Sequence, residues 1–486
     1  MKTKKHIYTF IAFFLFTISS FAQTNDDVLN LLIQKGAITQ ADADSLRSDA
    51  AIKEQDAPKD KTFTIGAELR TRTEYRNGYR NLIPNGDTTA PAFFTNQRTR
   101  LLFTYEQKNR FILHTSVQDI RVWGQADPRS YNATLQLFEG YAEVFIKPTF
   151  SIKLGRQKIA LDNQRLFAEN DWRANANAHD AVNFRYNGDK LSSELIFAYN
   201  QTSSRNGAST ANQSGGEPIF NTTYNPGFST YKTLGVHYLK YKITDVFTLT
   251  TINAADGYQQ PKSREGVYQR FTDGGRLEYE KGGFYATYTG YYQSGKNASG
   301  ILLDAYYHQA ELKYTIPENF SVRLGAEVMS GGNTKYKSTT DHNFVALYGV
   351  AHRFNGNMDF FTTFPGDLNG AGLINPYLFF TKNAGKKLVF RSDFHLFYSE
   401  NNFYTKVVQA GKTVNLIPNQ QYLGYENDLG VVYTPKPYIK VDLGFSYAIA
   451  EHSMAVIKKS GTADYTPTWA YVSVTFKPQL FKTSFK

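Results

Sequence analysis

Cysteine is absent from the 486 residues of this chain. The absence excludes disulfide bonds, thiolate metal sites, a cysteine nucleophile and a lipidated N-terminal cysteine. After residue 22 the sequence also lacks an uninterrupted apolar run long enough for a transmembrane helix. The mean hydropathy of −0.45, taken alone, is typical of a water-soluble protein.

Aromatic side chains, in contrast, are abundant. The chain contains 34 Tyr and 37 Phe, more than an ordinary soluble domain needs. A transmembrane β-barrel reconciles the two features, because only every second residue of a strand faces lipid and aromatic girdles ring both interfaces.

Residues 1–22 have the three parts of a secretory signal peptide. A lysine-rich start is followed by the apolar stretch Ile7–Ile18 and by the small residues Ser20 and Ala22 at the cleavage positions. We therefore expect this segment to be removed and the chain to be exported.

Residues 23–61 differ from the rest of the chain. Apolar residues recur at helical spacing between Val28 and Ile33, Gly36 interrupts the pattern, and Thr39 begins a second short helix. We predict a periplasmic helical leader and linker. A role in docking or oligomerisation and a role as a passive spacer both remain open.

From Phe63 onward the apolar period becomes two. One face of the first segment is apolar and the other is charged, with Phe63, Ile65, Ala67 and Leu69 opposed to Glu68, Arg70, Arg72 and Glu74. The same alternation recurs at 320–328, 439–447 and 469–476. This pattern is typical of strands that separate lipid from a water-filled lumen.

Short turns alternate with long polar loops along the chain. The turns are at 108–109, 148–149, 187–190, 244–245, 282–283, 316–319, 383–386 and 434–437. The loops are at 77–96, 123–135, 159–180, 201–231, 256–271, 294–304, 331–372, 399–420 and 449–467. Short connections at one end and long ones at the other are how outer-membrane barrels are built.

These connections predict an all-β fold, a transmembrane antiparallel up-and-down β-barrel of about 18 strands over residues 62–486. We expect it in the outer membrane of a Gram-negative bacterium. The strand-like segment Phe344–His352 is assigned to the loop 331–372, because counting it as a strand would put a long connection where a short turn belongs. That loop is the best candidate to fold inward as a plug or constriction.

The formal net charge is +11, and because residues 23–61 are acidic the excess of base lies in the barrel. An exported chain rarely meets nucleic acid, so an anionic solute, or lipopolysaccharide outside, is the expected partner. By alternation the inward bases are Arg70, Arg72, Arg98, Arg100, Arg185, Arg276, Arg323, Arg391 and Lys440. For each of them, pairing with an inward carboxylate is the structural alternative to solute binding.

Several motifs occur in order along the barrel. They are Ile152-Lys-Leu-Gly-Arg-Gln157, Arg165, Asp171-Trp172-Arg173, His179-Asp180-Ala181-Val182, Gln118-Asp119-Ile120-Arg121 and Phe361-Thr-Thr-Phe364-Pro365. In these the chain resembles the alginate export family of outer-membrane proteins over residues 62–486. The resemblance implies a monomeric eighteen-stranded barrel with a cationic constriction that passes a polyuronate.

By the motifs, Arg121, Arg156, Arg165, Arg173 and Asp180 would line or brace that constriction. Strict alternation would point Arg156 at lipid, so we expect a bulge at Gly155 to turn it inward, or a position at the end of its strand. The candidate solute-binding residues are Arg70, Arg72, Arg98, Arg100, Arg121, Arg156, Arg165, Arg173 and Arg185, and the candidate structural residues of the lumen are Asp119, Asp180, Glu139 and Glu143.

The resulting hypothesis is a passive channel for an anionic polysaccharide or oligosaccharide similar to alginate. The alternative is a general or small-anion porin of the phosphate type, whose leaders resemble this one. A barrel enzyme is the third reading, but no nucleophile, base or carboxylate pair is assembled in the sequence. We expect no metal and no cofactor, and a monomeric barrel unless the leader forms an oligomer.

Overall fold

The alternating sequence from Lys61 to Phe485 forms antiparallel strands in the computed structural model. The structure describes residues 60–125, 135–200, 231–260, 266–316, 319–333, 335, 338–409 and 412–485, and in the leader residues 29, 33, 35, 39, 40, 42–44, 46 and 47. The predicted signal peptide lies outside the described residues, as do parts of the predicted loops 123–135, 201–231 and 256–271.

Eighteen barrel strands follow one another in chain order, and each pairs with the next. They are β1 (Lys61–Asn77), β2 (Ala92–Gln107), β3 (Phe111–Val122), β4 (Gln136–Lys147), β5 (Phe150–Gln157), β6 (His179–Asn187), β7 (Leu191–Tyr199), β8 (Thr233–Lys242), β9 (Phe247–Gln259), β10 (Val267–Lys281), β11 (Phe284–Gly295), β12 (Ala305–Ile316), β13 (Phe320–Met329), β14 (Leu373–Ala384), β15 (Leu388–Ser399), β16 (Tyr422–Lys436), β17 (Ile439–Ala450) and β18 (Thr468–Phe476, continued by Gln479–Phe485).

Strand β18 closes the barrel by pairing with β1, in a register that places Leu69 opposite Phe476. Pro478 interrupts β18 because proline has no amide hydrogen to donate to the ladder. Its carbonyl oxygen still accepts a hydrogen bond from the amide of Ala67, at 3.1 Å. Closure leaves no unpaired strand edge facing lipid, which a membrane-spanning sheet requires.

The predicted strand number and the alternation of turns and loops are confirmed. The eight predicted short turns join strands pairwise at one end of the barrel, which is the periplasmic end in this class of protein. The nine predicted long loops join them at the other end. Phe344–His352 lies in the connection between β13 and β14, as predicted, and is not a barrel strand.

The two faces of the wall have opposite chemistry. Leu324 and Val472 expose 56% and 47% of their surface on the outer side, where lipid lies. Glu74 and Arg98, on the inner side, expose 0% and 1%. The period-two alternation of the sequence therefore sorts apolar side chains outward and charged side chains inward, as predicted.

The main apolar core lies inside the barrel. Leu347, Phe360 and Phe361 of the loop between β13 and β14 are fully buried there. Helix α1 (His452–Lys458), in the loop between β17 and β18, contributes further apolar side chains to the same core. Each large apolar side chain buried in this way stabilises the fold by roughly 1.5–3 kcal/mol. The inward folding predicted for the longest loop is thus observed.

Two carboxylates of β16 accept hydrogen bonds from the backbone of the loop between β13 and β14. Glu426 Oε1 accepts a hydrogen bond from the amide of Met358 at 2.7 Å, and Asp428 Oδ2 accepts one from the amide of Asn357 at 3.1 Å. Gly356 has a φ of +83°, and a Cβ atom there would lie 2.5 Å from Glu426 Oε1. Only glycine satisfies both the backbone conformation and the close approach.

In the leader, Thr39 and Asp42 form a reciprocal cap at the start of the second helix. The amide of Asp42 donates to Thr39 Oγ1 at 3.1 Å, and the amide of Thr39 donates to Asp42 Oδ2 at 2.9 Å. This is the geometry of a capping box. Within the described part of the chain, no helix combines the length and the apolar character needed to cross a membrane.

Introducing a charged residue on the outer face of the wall tests whether that face contacts lipid. Replacing Leu324, in the middle of β13, by arginine is expected to lower the free energy of unfolding by about 2–4 kcal/mol in lipid vesicles, because the charge enters hydrocarbon. The matched control Leu324→Ile keeps the surface apolar and is expected to change stability little. Urea titration of the reconstituted barrel measures both, and equal stabilities would contradict the assignment of this face to lipid.

Candidate functional site

Inward arginines of the first two strands hold the loop between β5 and β6 by its backbone carbonyl groups. Arg70 donates to the carbonyl oxygens of Asp171 and Arg173, at 2.5 and 2.9 Å. Arg72 donates to the carbonyl oxygen of Trp172 at 2.8 Å. Because consecutive carbonyl groups point at the wall, this loop is fixed against β1 inside the lumen.

Arg98 and Arg100 of β2 extend the same cluster with carboxylate partners. Arg98 pairs with Glu68 at 2.5 Å and with Asp171 at 3.0 Å, and Arg100 pairs with the other Asp171 oxygen at 2.8 Å. Burial alone would raise the pKa of the Asp171 carboxyl, but Arg98 and Arg100 outweigh it and lower that pKa to about 2. Asp171 is therefore ionised at any physiological pH.

Positive charge is in excess in this cluster. The buried Glu74 is shared by two arginines, since Arg72 lies 2.8 Å and Arg76 2.7 Å from its oxygens. Five arginines therefore face three carboxylates, namely Arg70, Arg72, Arg76, Arg98 and Arg100 against Glu68, Glu74 and Asp171. At Arg70, Arg72 and Arg98, backbone carbonyl groups accept further guanidinium hydrogen bonds without cancelling the charge, so the wall keeps a positive potential.

Trp172 joins the two inward loops to the wall. The Arg72 guanidinium lies 4.2 Å from the centroid of the Trp172 ring, a cation–π contact. On its other side the indole stacks on His352, with centroids 4.8 Å apart and an interplanar angle of 11°. His352 in turn places its Nδ1 atom 2.7 Å from Asp359 Oδ1. The loop after β13 is thereby tied to the loop after β5.

Arg165 occupies a structural position. Its side chain has no exposed surface, and its guanidinium donates to Glu327 Oε1 at 2.9 Å, to Asn355 Oδ1 at 3.1 Å and to the Val350 carbonyl at 3.1 Å. A guanidinium enclosed by three acceptors has no face left for a solute. Of the two roles that the motif implied, bracing fits this geometry and lining does not.

A cavity of about 430 Å³ lies at the loop end of the lumen, beyond the arginine cluster. We call it the upper cavity, and its basic lining residues are Arg80, Arg156, Arg173, His179 and His352. No salt bridge joins Arg80 or Arg173 to a described residue. Arg80 donates only to the hydroxyl group of Thr362, at 3.2 Å.

Two buried polar atoms of the upper cavity make no hydrogen bond to the described residues. They are Nε2 of His179 and Oδ1 of Asn170. The other ring nitrogen of His179 lies 3.0 Å from the hydroxyl oxygen of Tyr231, which holds the imidazole in place. An imidazole nitrogen and an amide oxygen left free in this way suit a ligand that carries hydroxyl groups.

Arg156 and Asp180 pair at the rim of the upper cavity, 3.0 Å apart. Arg156 is the penultimate residue of β5, so the expected position at the end of the strand is observed. The expected bulge is wrong, because Gly155 lies opposite Tyr141 without a shift in register. Strand β5 ends one residue after Arg156, so the charged side chain of Arg156 lies at the end of the strand and can turn away from the lipid-facing surface.

Asp119 and Arg121 correct the prediction that both face the lumen. On β3 they lie opposite Thr99 and Gln97 of β2, on the face away from the inward Arg98. The two side chains pair with each other at 2.6 Å, and Arg121 is 54% exposed. Alternation from the buried Gln118 requires this outward direction, and the position near the loop end of β3 keeps the charges close to the lipid headgroups.

The remaining predicted residues brace the wall between β4 and β7. Arg185 lies 2.9 Å from Glu143 and 3.7 Å from Glu194. Glu139 is buried and lies 3.8 Å from the ammonium group of Lys158. Glu139 and Glu143 thus face inward as predicted, with cationic partners.

Sequence reasoning missed Arg80 and Arg353, which both lie in loops. Arg353 lines a second cavity, of about 410 Å³, at the turn end of the lumen. We call it the lower cavity, and its other basic lining residues are Arg276, Lys313 and Arg323. Alternation assigns a face only within strands, so the side chains of loop residues had no sequence signal.

Among the described residues, no group of three or more metal-ligating side chains was found.

Solved structures with this fold share little sequence with the chain. OccAB1 of Acinetobacter baumannii has a TM-score of 0.54 at 11% identity and covers 86% of this chain and 97% of its own. OpdO of Pseudomonas aeruginosa has a TM-score of 0.54 at 12% identity, with coverages of 88% and 99%. OccK2 (OpdF) of Pseudomonas aeruginosa, solved in complex with glucuronate, has a TM-score of 0.53 at 10% identity, with coverages of 86% and 98%.

These three proteins are outer-membrane porins, and the shared fold identifies this chain as an outer-membrane β-barrel. The predicted location in the outer membrane of a Gram-negative bacterium is confirmed. No protein-family model matches the sequence, and no curated protein does. The comparisons give no support to the alginate export family.

The buried pair of Arg165 and Glu327 tests how the inward loops are held. Arg165→Met is expected to lower the free energy of unfolding by about 3–5 kcal/mol, because it leaves Glu327 buried without a cation. The double variant Arg165→Met with Glu327→Gln is expected to recover part of that loss. Denaturant unfolding in detergent measures both, and a double variant less stable than Arg165→Met would contradict the pairing.

Proposed function

We propose that this chain is an anion-selective channel of the outer membrane that passes small carboxylate solutes. The proposal rests on one observation above all, the surplus of arginine on the inner wall. Around the loop between β5 and β6, five arginines share three carboxylates. Such a surface raises the local concentration of anions and lowers that of cations.

The dimensions of the interior favour small solutes over a polymer. The inward loops pack an apolar core across the barrel, with Leu347, Phe360 and Phe361 fully buried. The upper cavity of about 430 Å³ and the lower cavity of about 410 Å³ share no lining residue. Volumes of this size suit single small molecules. A polyuronate, the reading that the family resemblance favoured, would need a continuous groove through the same space.

The chemistry of the upper cavity favours a hydroxylated carboxylate. Arg173 and Arg80 make no salt bridge with a described carboxylate, and the carboxylate that interacts with Arg80 at longer range is Asp359. Arginine binds carboxylates through two parallel hydrogen bonds. Beside them, Nε2 of His179 and Oδ1 of Asn170 lack partners and could bind hydroxyl groups. The similar porin OccK2 was solved with glucuronate, a solute that carries both kinds of group.

In this proposal the predicted residues have two roles. Arg173 and Arg156, with Arg80, make the first contact with the solute at the loop end. Arg70, Arg72, Arg98 and Arg100 position the loop between β5 and β6 and supply the field that attracts anions. Arg165 and Arg185 brace the wall through Glu327 and Glu143.

Removing one charge from the upper cavity tests the proposal. In planar bilayers the purified barrel is expected to show a reversal potential of the sign for anion selectivity under a KCl gradient. Glucuronate is expected to block the chloride current, and Arg173→Gln to weaken that block about tenfold or more. The reason is that a hydrogen bond to a charged group contributes roughly 1.5–3 kcal/mol and each 1.4 kcal/mol is about a factor of ten.

The matched control is Arg121→Gln, which removes the same charge from the outer face of the wall. It is expected to leave selectivity and block unchanged. A cation-selective wild-type barrel would overturn the proposal. Block by polymannuronate at far lower concentrations than by glucuronate or phosphate would replace it with the polymer reading.

A further inference from the structure

We propose that the lower cavity is a second anion site, specific for a carboxylate on a flat aromatic ring. The cavity lies towards the turn end of the lumen, since most of its strand residues belong to the turn-proximal halves of β10–β14, and Gln309 and Tyr377 lie near the middle of their strands. It shares no lining residue with the upper cavity. It is therefore a separate site.

Four cationic side chains converge on this cavity with few anionic partners. Arg276 is occupied, because it pairs with Asp162 at 2.6 Å and with Glu278 at 2.5 Å. Arg323 reaches Glu311 only at 3.5 Å. Glu311 also accepts a hydrogen bond from the hydroxyl group of Tyr377, at 2.8 Å. A single carboxylate is thus left to oppose the other cations.

Lys313 and Arg353 make no salt bridge to a described residue. The ammonium group of Lys313 lies 5.3 Å from the centroid of the Tyr285 ring. Arg353 donates to the backbone carbonyl of Asn163 and lies 4.9 Å from the centroid of the Phe354 ring. Neutral partners leave both charges uncancelled, so an anion is the missing counterpart.

The electrostatic surroundings of Arg353 point the same way. Burial lowers the pKa of its guanidinium, and the positive charge of Arg323 nearby lowers it further, with Glu311 as the opposing influence. Arg165 and Arg276 add to the repulsion. A bound anion would relieve this crowding of like charges, whereas a cation or a neutral solute would not.

The aromatic side chains that line the cavity favour a ligand with a planar ring. Phe354, Phe379, Tyr377 and Tyr285 all line the cavity beside the cations. Tyr377 and Phe379 stack on each other, with ring centroids 4.7 Å apart and an interplanar angle of 24°. A planar ring would extend this stack by offset or edge contacts while its carboxylate reaches Arg353. Polar hydroxyl groups on the ligand would find less to bind here than in the upper cavity.

The inference rests on the proposed function only for the route by which the ligand arrives, so binding is measured without transport. Isothermal titration calorimetry of the full-length barrel in detergent is expected to give saturable binding of benzoate. Acetate is expected to bind at least about tenfold more weakly, because it lacks the ring. Arg353→Gln is expected to weaken benzoate binding by about tenfold or more, and Arg353→Lys by less.

Variants at two other positions, Phe379 and Arg121, test the contribution of the aromatic ring and of a charge outside the cavity. Phe379→Leu is expected to weaken benzoate binding several-fold and to leave acetate binding unchanged. Arg121→Gln, which removes a charge from the outer face of the wall, is expected to leave benzoate binding unchanged. Should Arg353→Gln fail to fold, judged by its migration in unheated gels, Lys313→Gln replaces it with the same expected direction.

Several results would overturn the inference. Benzoate binding that survives Arg353→Gln would place the ligand elsewhere, and acetate or phosphate binding as tightly as benzoate would remove the role of the ring. Either result leaves the anion selectivity of the channel untouched. A cation-selective channel that still binds benzoate through Arg353 would instead reject the proposed function and keep this site.

Discussion

A guanidinium group that leaves bulk water must find acceptors, and the inner wall of this barrel obtains many of them from its own loops. Arg70 and Arg72 donate to the carbonyl oxygens of consecutive loop residues, at distances between 2.5 and 2.9 Å. Arg165 does the same from the loop side, with Glu327 on the wall and Val350 on a second loop. Together with the carboxylates of β16 that accept hydrogen bonds from Asn357 and Met358, these contacts attach the inward loops to the strands.

The nature of the acceptor then determines the charge of the lumen. A carboxylate partner satisfies the hydrogen bonds of an arginine and cancels its charge, whereas a carbonyl group satisfies the hydrogen bonds alone. Neutral acceptors at Arg70 and Arg353 therefore give a wall that is structurally satisfied and still positive. In the proposed anion channel, the same interaction that fixes the loops leaves the interior positive, so stability and selectivity would not compete.

Period-two alternation, with the order of short turns and long loops, was sufficient to predict the strands, their number and the face of most wall residues. The prediction was wrong at two residues, where the family resemblance was given precedence over the alternation. Asp119 and Arg121 follow the buried Gln118 in strict alternation and point outward, yet the motif suggested the lumen. Arg80 and Arg353 were out of reach for a different reason. Their directions depend on loops that are ordered only by contacts with distant strands, and a single sequence carries no local signal for such contacts.

The segment at His352 and Arg353 shows how closely the two cavities are linked. His352 lines the upper cavity and its neighbour Arg353 lines the lower one. The two residues lie in a turn, in which the amide of Phe354 donates to the carbonyl oxygen of Ala351 at 2.8 Å, and their side chains line different cavities. His352 is held by Trp172 on the loop after β5, and Arg353 by the carbonyl of Asn163 on that same loop. In the proposed channel, the contacts that order this turn therefore help to shape both cavities at once.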